Sequence, residues 1–146
     1  MVQKVIRDRL DAILHWSISL VGGFLGAYAI LLHVGNFGSA QTGNLMEMGA
    51  ELVSMEWFNV LLRLAALVLF GLGVASAYLL TNFTKINMRK LALWVDAAAL
   101  ALASMLPLEP ALVGIYPIFF ASAFQWGVYS GADGFNSATI FMTNNF

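Results

Sequence analysis

Four stretches of the chain carry apolar residues in runs long enough for lipid, with polar positions crowded between them. They cover residues 12–34, 58–80, 91–106 and 111–130. Crossing a hydrocarbon core takes about 20 mostly apolar residues in a helix, so the pattern predicts four membrane helices. The third is short and contains Asp96, and the fourth contains Pro117, which predicts a kink because proline removes a helical N–H. The PLEP segment at 107–110 reads as a turn. FGSAQTGNLMEMGAEL (37–52) stands apart, a glycine-rich polar stretch between two oily flanks. Residues 35–56 are expected not to cross the membrane, with room for a short half-helix over 42–55.

Composition agrees with lipid as the solvent. Of the 146 residues 60% are hydrophobic and 10% charged, and mean hydropathy is +0.81. A soluble domain carries roughly a quarter charged residues, and a chain this short cannot hide so much apolar surface. Basic residues fix an orientation. Lys4, Arg7 and Arg9 precede the first stretch, and Lys85, Arg89 and Lys90 fill the loop after the second. The other two connections carry Glu47, Glu51, Glu56 and Glu109 without a cation. The positive-inside rule then places the N-terminus and residues 81–90 in the cytoplasm.

The same counts exclude several function classes. A net charge of −1 argues against nucleic acid as a partner, since phosphate binding needs a basic face. With no cysteine there is no disulfide, thiolate zinc site, iron–sulfur cluster or thiol nucleophile. His15 and His33 fall at opposite ends of the first stretch and cannot share a metal. They read as interfacial residues, with Trp16, Trp57 and Trp94 in an aromatic belt. No nucleophile–base pair or phosphate loop is present. The expectation is a protein that is not an enzyme and uses no cofactor or metal.

Small residues recur every four positions, a spacing that lets helix backbones approach closely in lipid. Gly22 with Gly26, Gly71 with Ala75 and Gly73 with Ala77 do so, as do Ala97 with Ala101 and Ala99 with Ala103. The chain also repeats itself. Residues 26–45 (GAYAILLHVGNFGSAQTGNL) laid over 127–146 (GVYSGADGFNSATIFMTNNF) align Gly26 with Gly127, Tyr28 with Tyr129, Thr42 with Thr143 and Asn44 with Asn145. Three spans separate equivalent points, so the copies face opposite ways, as in the inverted repeats of secondary transporters. The fold expected is an all-α polytopic transmembrane bundle in a single domain, 1–146. Repeat 1 covers about 12–106, and repeat 2 begins at about 111–146. Four spans are then present of an expected six, and the chain reads as truncated.

The polar residues within this oily chain are the candidate chemistry. Thr42 or Asn44 can cap the free N–H groups of a helix starting there; alternatively, the positive end of that helix holds an anion or a substrate carboxylate. Gln125, inside the fourth stretch, needs partners from another helix or from a solute. Asp96 is expected either to snorkel or pair with Arg89 or Lys90 on its own helix, or to face a cavity. Arg63 is expected to reach the outer interface or to pair with Glu56 or Glu51. Asp133 in SGADG reads as part of a solvated turn.

QTGNL after a glycine-rich apolar helix, with FQW and then ATIFMTNNF in the second copy, resembles the YoaK family of bacterial inner-membrane proteins, also called DUF1275. The second segment is similar to versions from Gram-positive bacteria. The resemblance implies about six spans, a plasma-membrane address and no settled activity. Members commonly carry an aspartate in a Gly-x-x-Asp-Ala pattern in the first span; this chain has Gly26 there, followed by Ala27, so a coupling role for that carboxylate does not transfer.

Two functions fit. In the first, the protein is a small-solute transporter or permease with a site drawn from Gln41, Thr42, Asn44, Gln125, Thr143 and Asn145. In the second, it is a scaffold or regulatory subunit acting through small-residue helix faces. Its partners would be the lipid bilayer, a small polar solute and further copies of itself. A polar, water-accessible cavity between the first and fourth spans would favour transport. A dry small-residue interface there would favour the scaffold.

Overall fold

A computed structural model describes residues 2–32, 41–129, 131–132 and 135–136. Among these residues there are six helices and one short β pairing. The helices are α1 (Val2–Leu32), α2 (Gln41–Val53), α3 (Trp57–Phe83), α4 (Met88–Met105), α5 (Ala111–Gly114) and α6 (Tyr116–Val128). The strands β1 (Gly131–Ala132) and β2 (Phe135–Asn136) pair antiparallel. The polar stretch that interrupts the apolar pattern therefore contains a 13-residue helix.

The second and third apolar segments become helices close to their expected limits, whereas the first begins ten residues earlier than expected, at Val2. Two of the apolar segments, Arg9–Leu32 and Trp57–Phe83, are long and apolar enough to cross a membrane. The other two differ from the four-span expectation. α4 has 18 residues and carries Arg89, Lys90 and Asp96. The fourth is not one kinked rod but two helices parted at Ile115, and Pro117 lies in the first turn of α6. Proline is at ease there because the first N–H groups of a helix have no partner inside it.

α6 is the centre of the molecule. Ile118, Phe119, Ala121, Ser122, Ala123, Phe124 and Gln125 are all buried, and a helix buried on every side is a core helix. α3 packs against it most extensively, α4 next, and α1 more lightly. Leu25 and Ala29 of α1 share one core cluster with Ala66 of α3, Ala99 and Ala103 of α4, and Ile118 and Phe119 of α6. Ile18, Ala77, Ala92 and Phe124 form the other. Residue numbers rise from the second cluster to the first in α1 and α4 and fall in α3 and α6. Consecutive long helices thus alternate in direction, and α1 runs opposite to α6.

The α3–α6 contact is set by glycine. A Cβ at Gly73 would lie 2.5 Å from the Phe120 carbonyl oxygen and 2.8 Å from the Ala123 Cβ, and one at Gly127 would lie 2.7 Å from the Ala77 Cβ. The small-residue stripe that packs on α3 is therefore Gly73–Ala77, facing Ala123 and Gly127. The Gly71–Ala75 stripe does not pack within the described residues: both positions are exposed, and nothing stands within 4 Å of a Cβ at Gly71. Two residues turn a helix by about 200°, so the two stripes point nearly opposite ways. On α4, likewise, Ala99 and Ala103 are buried while Ala97 and Ala101 face out. In α1, Gly22 is buried, whereas Gly26 is half-buried with open space around it.

α2 ends in a tight turn back onto α3. The Met55 N–H donates to the Leu52 carbonyl (3.2 Å), the Glu56 N–H donates to the Glu51 carbonyl (2.9 Å), and Met55 has φ 59°. This pair of bonds with a left-handed residue is the Schellman helix stop, where glycine is the usual occupant. Met55 is 74% exposed, so its side chain contributes little packing to offset the strain. Met55→Gly is expected to stabilise the protein by about 1 kcal/mol, read as a higher thermal midpoint in detergent. An unchanged or lower midpoint would show that the left-handed backbone is not strained.

Candidate functional site

Many large apolar side chains face outward, and a few polar ones lie within a largely apolar core. Trp16, Leu20, Leu31, Phe83 and Trp94 are among many large apolar side chains that stand exposed, while Asn44, Arg63, Asp96, Ser122 and Gln125 are buried. A buried polar group is costly unless it finds partners, so each of these residues poses the question of what it meets.

Arg63 projects from the first turns of α3 and is 8% exposed. Its Nε donates to Glu51 Oε2 at 2.8 Å, and its Nη2 pairs with Glu47. Of the two expected partners, Glu51 is the one used. Glu56 instead accepts from Asn59 Nδ2 at 2.7 Å. Glu47 was not among the expected partners, although Glu47 and Glu51 are spaced i, i+4 and so share a helix face. The ion pairs press α2 back along α3. Glu47 and Glu51 straddle Arg63 across a three-residue turn, so the two helices are antiparallel. Gln41 then stands about 12 Å from Arg63 along α3, near the level of Phe70, by a rise of 1.5 Å per residue. That is halfway along the 27-residue α3.

The polar motif at the start of α2 thus sits at mid-height of the bundle. α2 begins at Gln41, so Thr42 and Asn44 lie inside its first turn and not before it, where a capping residue stands. Thr42 is exposed and Asn44 buried. The Gln41 side chain is partly covered, and its Nε2 is buried with no hydrogen-bond partner among the described residues. The second copies of the motif, Thr143 and Asn145, fall outside the described residues, as do His33 and Asp133.

Gln125 is fully buried in α6, and its Nε2 donates to the Ile18 carbonyl of α1 at 3.0 Å. Its level beside α3 lies between Gly73 and Ala77, about 7 Å beyond that of Gln41 by the same rise. The first and fourth apolar segments therefore meet through Gln125 and the cluster of Ile18 with Phe124. This contact is closed, with Gln125, Ile18 and Phe124 all buried.

The open space lies elsewhere. A cleft of about 830 Å³ separates α1 from α4, lined by Leu20, Phe24 and Leu25 on one side and Leu93, Asp96 and Leu100 on the other. Asp96 is 3% exposed, and neither carboxylate oxygen has a hydrogen-bond partner among the described residues. The expected pairing with Arg89 or Lys90 does not occur. Arg89 Nη1 donates to Asp11 Oδ1 on α1 at 2.9 Å. Asp96 lies seven residues further along α4, about 10 Å along the axis, too far for a direct bond. Ser19, the other polar residue of the cleft, donates its hydroxyl to the His15 carbonyl at 2.9 Å. Tyr129 is likewise engaged, donating to the Arg89 carbonyl at 2.8 Å.

The structure therefore divides the sequence-predicted polar set in two. Gln41, Thr42 and Asn44 stand on α2 against α3, whereas Gln125 and Asp96 stand on α6 and α4 against the same part of α1. Among the described residues no group of three or more His, Asp or Glu converges on a point where a metal ion would fit. A family model described as "protein of unknown function (DUF1275)" matches residues 14–146. No curated protein and no solved structure matches the chain.

Proposed function

The chain belongs to the DUF1275 family, and from that premise we propose that it is a multi-pass protein of the bacterial plasma membrane that moves a small solute. The apolar exterior suits lipid, which removes the cost of leaving large side chains exposed. α4, at 18 residues, extends about 27 Å, close to the hydrocarbon thickness, and α5 with α6 covers a similar length. In this reading α1, α3, α4 and the α5–α6 pair are four spans, with the N-terminus cytoplasmic. Their alternating directions fit an inverted repeat whose first unit is about 12–106. α2 is then a half-helix whose N-terminal end, with Gln41, Thr42 and Asn44, reaches mid-bilayer, the place where transporters hold substrate.

One observation carries the transport reading. Asp96 is buried in the bundle with neither oxygen hydrogen-bonded, on the wall of an open cleft. An intramembrane carboxylate is expensive and is retained where it does work on an ion or solute. The scaffold reading draws on two other observations: the first and fourth segments meet in a closed contact at Gln125 and not around a polar cavity, and the exposed Gly71–Ala75 stripe, with no described atom within 4 Å of a Cβ at Gly71, offers a partner or a second copy a close approach.

The test is solute uptake into vesicles containing the full chain, with single cysteines at positions 9 and 55 reporting which side each faces. Asp96→Asn and Asn44→Ala are expected to lower uptake at least tenfold while melting and oligomeric state stay unchanged, and the two cysteines should label from opposite sides. Unaltered uptake in both variants would remove the site, and same-side labelling would remove the four-span arrangement.

A further inference from the structure

We propose that the cleft between α1 and α4 binds an organic cation with an apolar body, its positive charge set against Asp96. This names the solute class for the transport reading above and rests on that reading for its membrane setting. The cleft's volume, about 830 Å³, falls within the range of small-molecule sites. Its walls are made by Leu20, Phe24, Leu25, Leu93 and Leu100, which offer an aliphatic or aromatic body the contacts that water would not. The carboxylate of Asp96 is the one charge in the lining, and no described side chain bonds it.

Those two features select the ligand together. A carboxylate in apolar surroundings needs a positive partner, and the guanidinium of Arg89 on the same helix is turned to Asp11. A bare metal ion is a poor match, because hard cations require several oxygen ligands and the only other polar residue lining the cleft, Ser19, has its hydroxyl donated to a backbone carbonyl. An anion would meet the charge of Asp96 with nothing to offset it. A cation clothed in hydrocarbon satisfies wall and charge at once.

Gly23 supplies an independent handle. It lines the cleft, and a Cβ there meets nothing within 4 Å. A leucine at this position would enter the open space without a clash in the bundle, so it can block the site while leaving the fold intact.

The experiment measures binding of tetraphenylphosphonium to the purified full chain in detergent, with tetraphenylborate as an isostere of opposite charge. The phosphonium is expected to bind at least about tenfold more tightly than the borate, as a charge pair at intermediate dielectric would give. Asp96→Asn should erase that difference, Asp96→Glu should keep it, and Gly23→Leu should weaken both ions with an unchanged melting profile. Equal binding of the two ions, or preference surviving in Asp96→Asn, would overturn the proposal by showing a greasy surface without a charge partner. Competition by millimolar sodium at the same affinity would also overturn it, in favour of an inorganic ion site. Phosphonium binding without uptake of any solute into vesicles would sink the transport reading and leave this site standing. Uptake of another solute with no phosphonium binding would do the reverse.

Discussion

Gly73→Leu is expected to destabilise the protein by about 3 kcal/mol, at the upper end of overpacking costs, whereas Gly71→Leu raises stability by up to about 1 kcal/mol. The two glycines are two residues apart on α3 and identical in chemistry, so helix propensity favours leucine at both by about 1 kcal/mol. Their surroundings decide the sign. At Gly73 the first added carbon meets the Phe120 carbonyl oxygen at 2.5 Å and the Ala123 Cβ at 2.8 Å. Backbone cannot rotate out of the way, so α3 and α6 must separate along their whole contact. At Gly71 the same carbon meets nothing within 4 Å. Thermal unfolding in detergent, followed by size exclusion for aggregation, measures both. Gly73→Ala should already show part of the loss. If Gly71→Leu proves the more damaging, the helices pack through the other stripe and the arrangement around α6 is wrong.

Arg63→Met is expected to cost about 2 to 4 kcal/mol, somewhat under the usual figure for removing one partner of a buried pair because Glu47 is half exposed. The loss comes less from the missing attraction than from what remains, since Glu51 is left 15% exposed with no guanidinium against it. Relief follows if the acids go too. The triple variant Arg63→Met, Glu47→Gln, Glu51→Gln should recover most of the loss, because a buried ion group replaced as a whole is often close to neutral. The chain has no cysteine, so a single cysteine at Met48 reports whether α2 has lifted from α3. Maleimide labelling there should rise in Arg63→Met and fall back in the triple variant. Labelling unchanged by Arg63→Met would mean that α2 is held by other contacts and that the ion pairs are incidental.

Much of this fold could be read from the chain. The apolar runs place α1, α3 and α4 within a few residues, except that α1 extends back to Val2. The half-helix that the polar stretch admits over 42–55 is present as α2, Gln41–Val53. The break in the fourth segment was placed at Pro117, but the helix parts two residues earlier, because proline is comfortable in a first turn and terminates a helix on its N-terminal side. The polar residues were also legible as a set, since any such residue in an oily chain stands out. Their partners were legible only in part, Glu51 for Arg63 being the one that could be read. For Arg63 the chain points to Glu51 but not to Glu47, and of the readings open for Asp96 it is the cavity-facing one that the structure shows, with Arg89 reaching Asp11 instead. Glu47 stands one turn from Glu51 on the same face of α2, whereas Asp11 is on a different helix from Arg89, and only the packing of α1 on α4 brings those two together.

Sequence alone determined which residues are helical, that the exterior would be apolar, and which buried groups would require explanation, because hydropathy and backbone propensity act over a few neighbouring residues. It did not determine which of two small-residue stripes faces inward, that Gln125 would close α1 against α6, or that the gap would open beside Asp96. Those outcomes depend on how far each helix is rotated about its axis. A rotation of 100° per residue costs almost nothing in an isolated helix, and it is fixed only when Gly73, Ala77, Ala123 and Gly127 bring two backbones into contact.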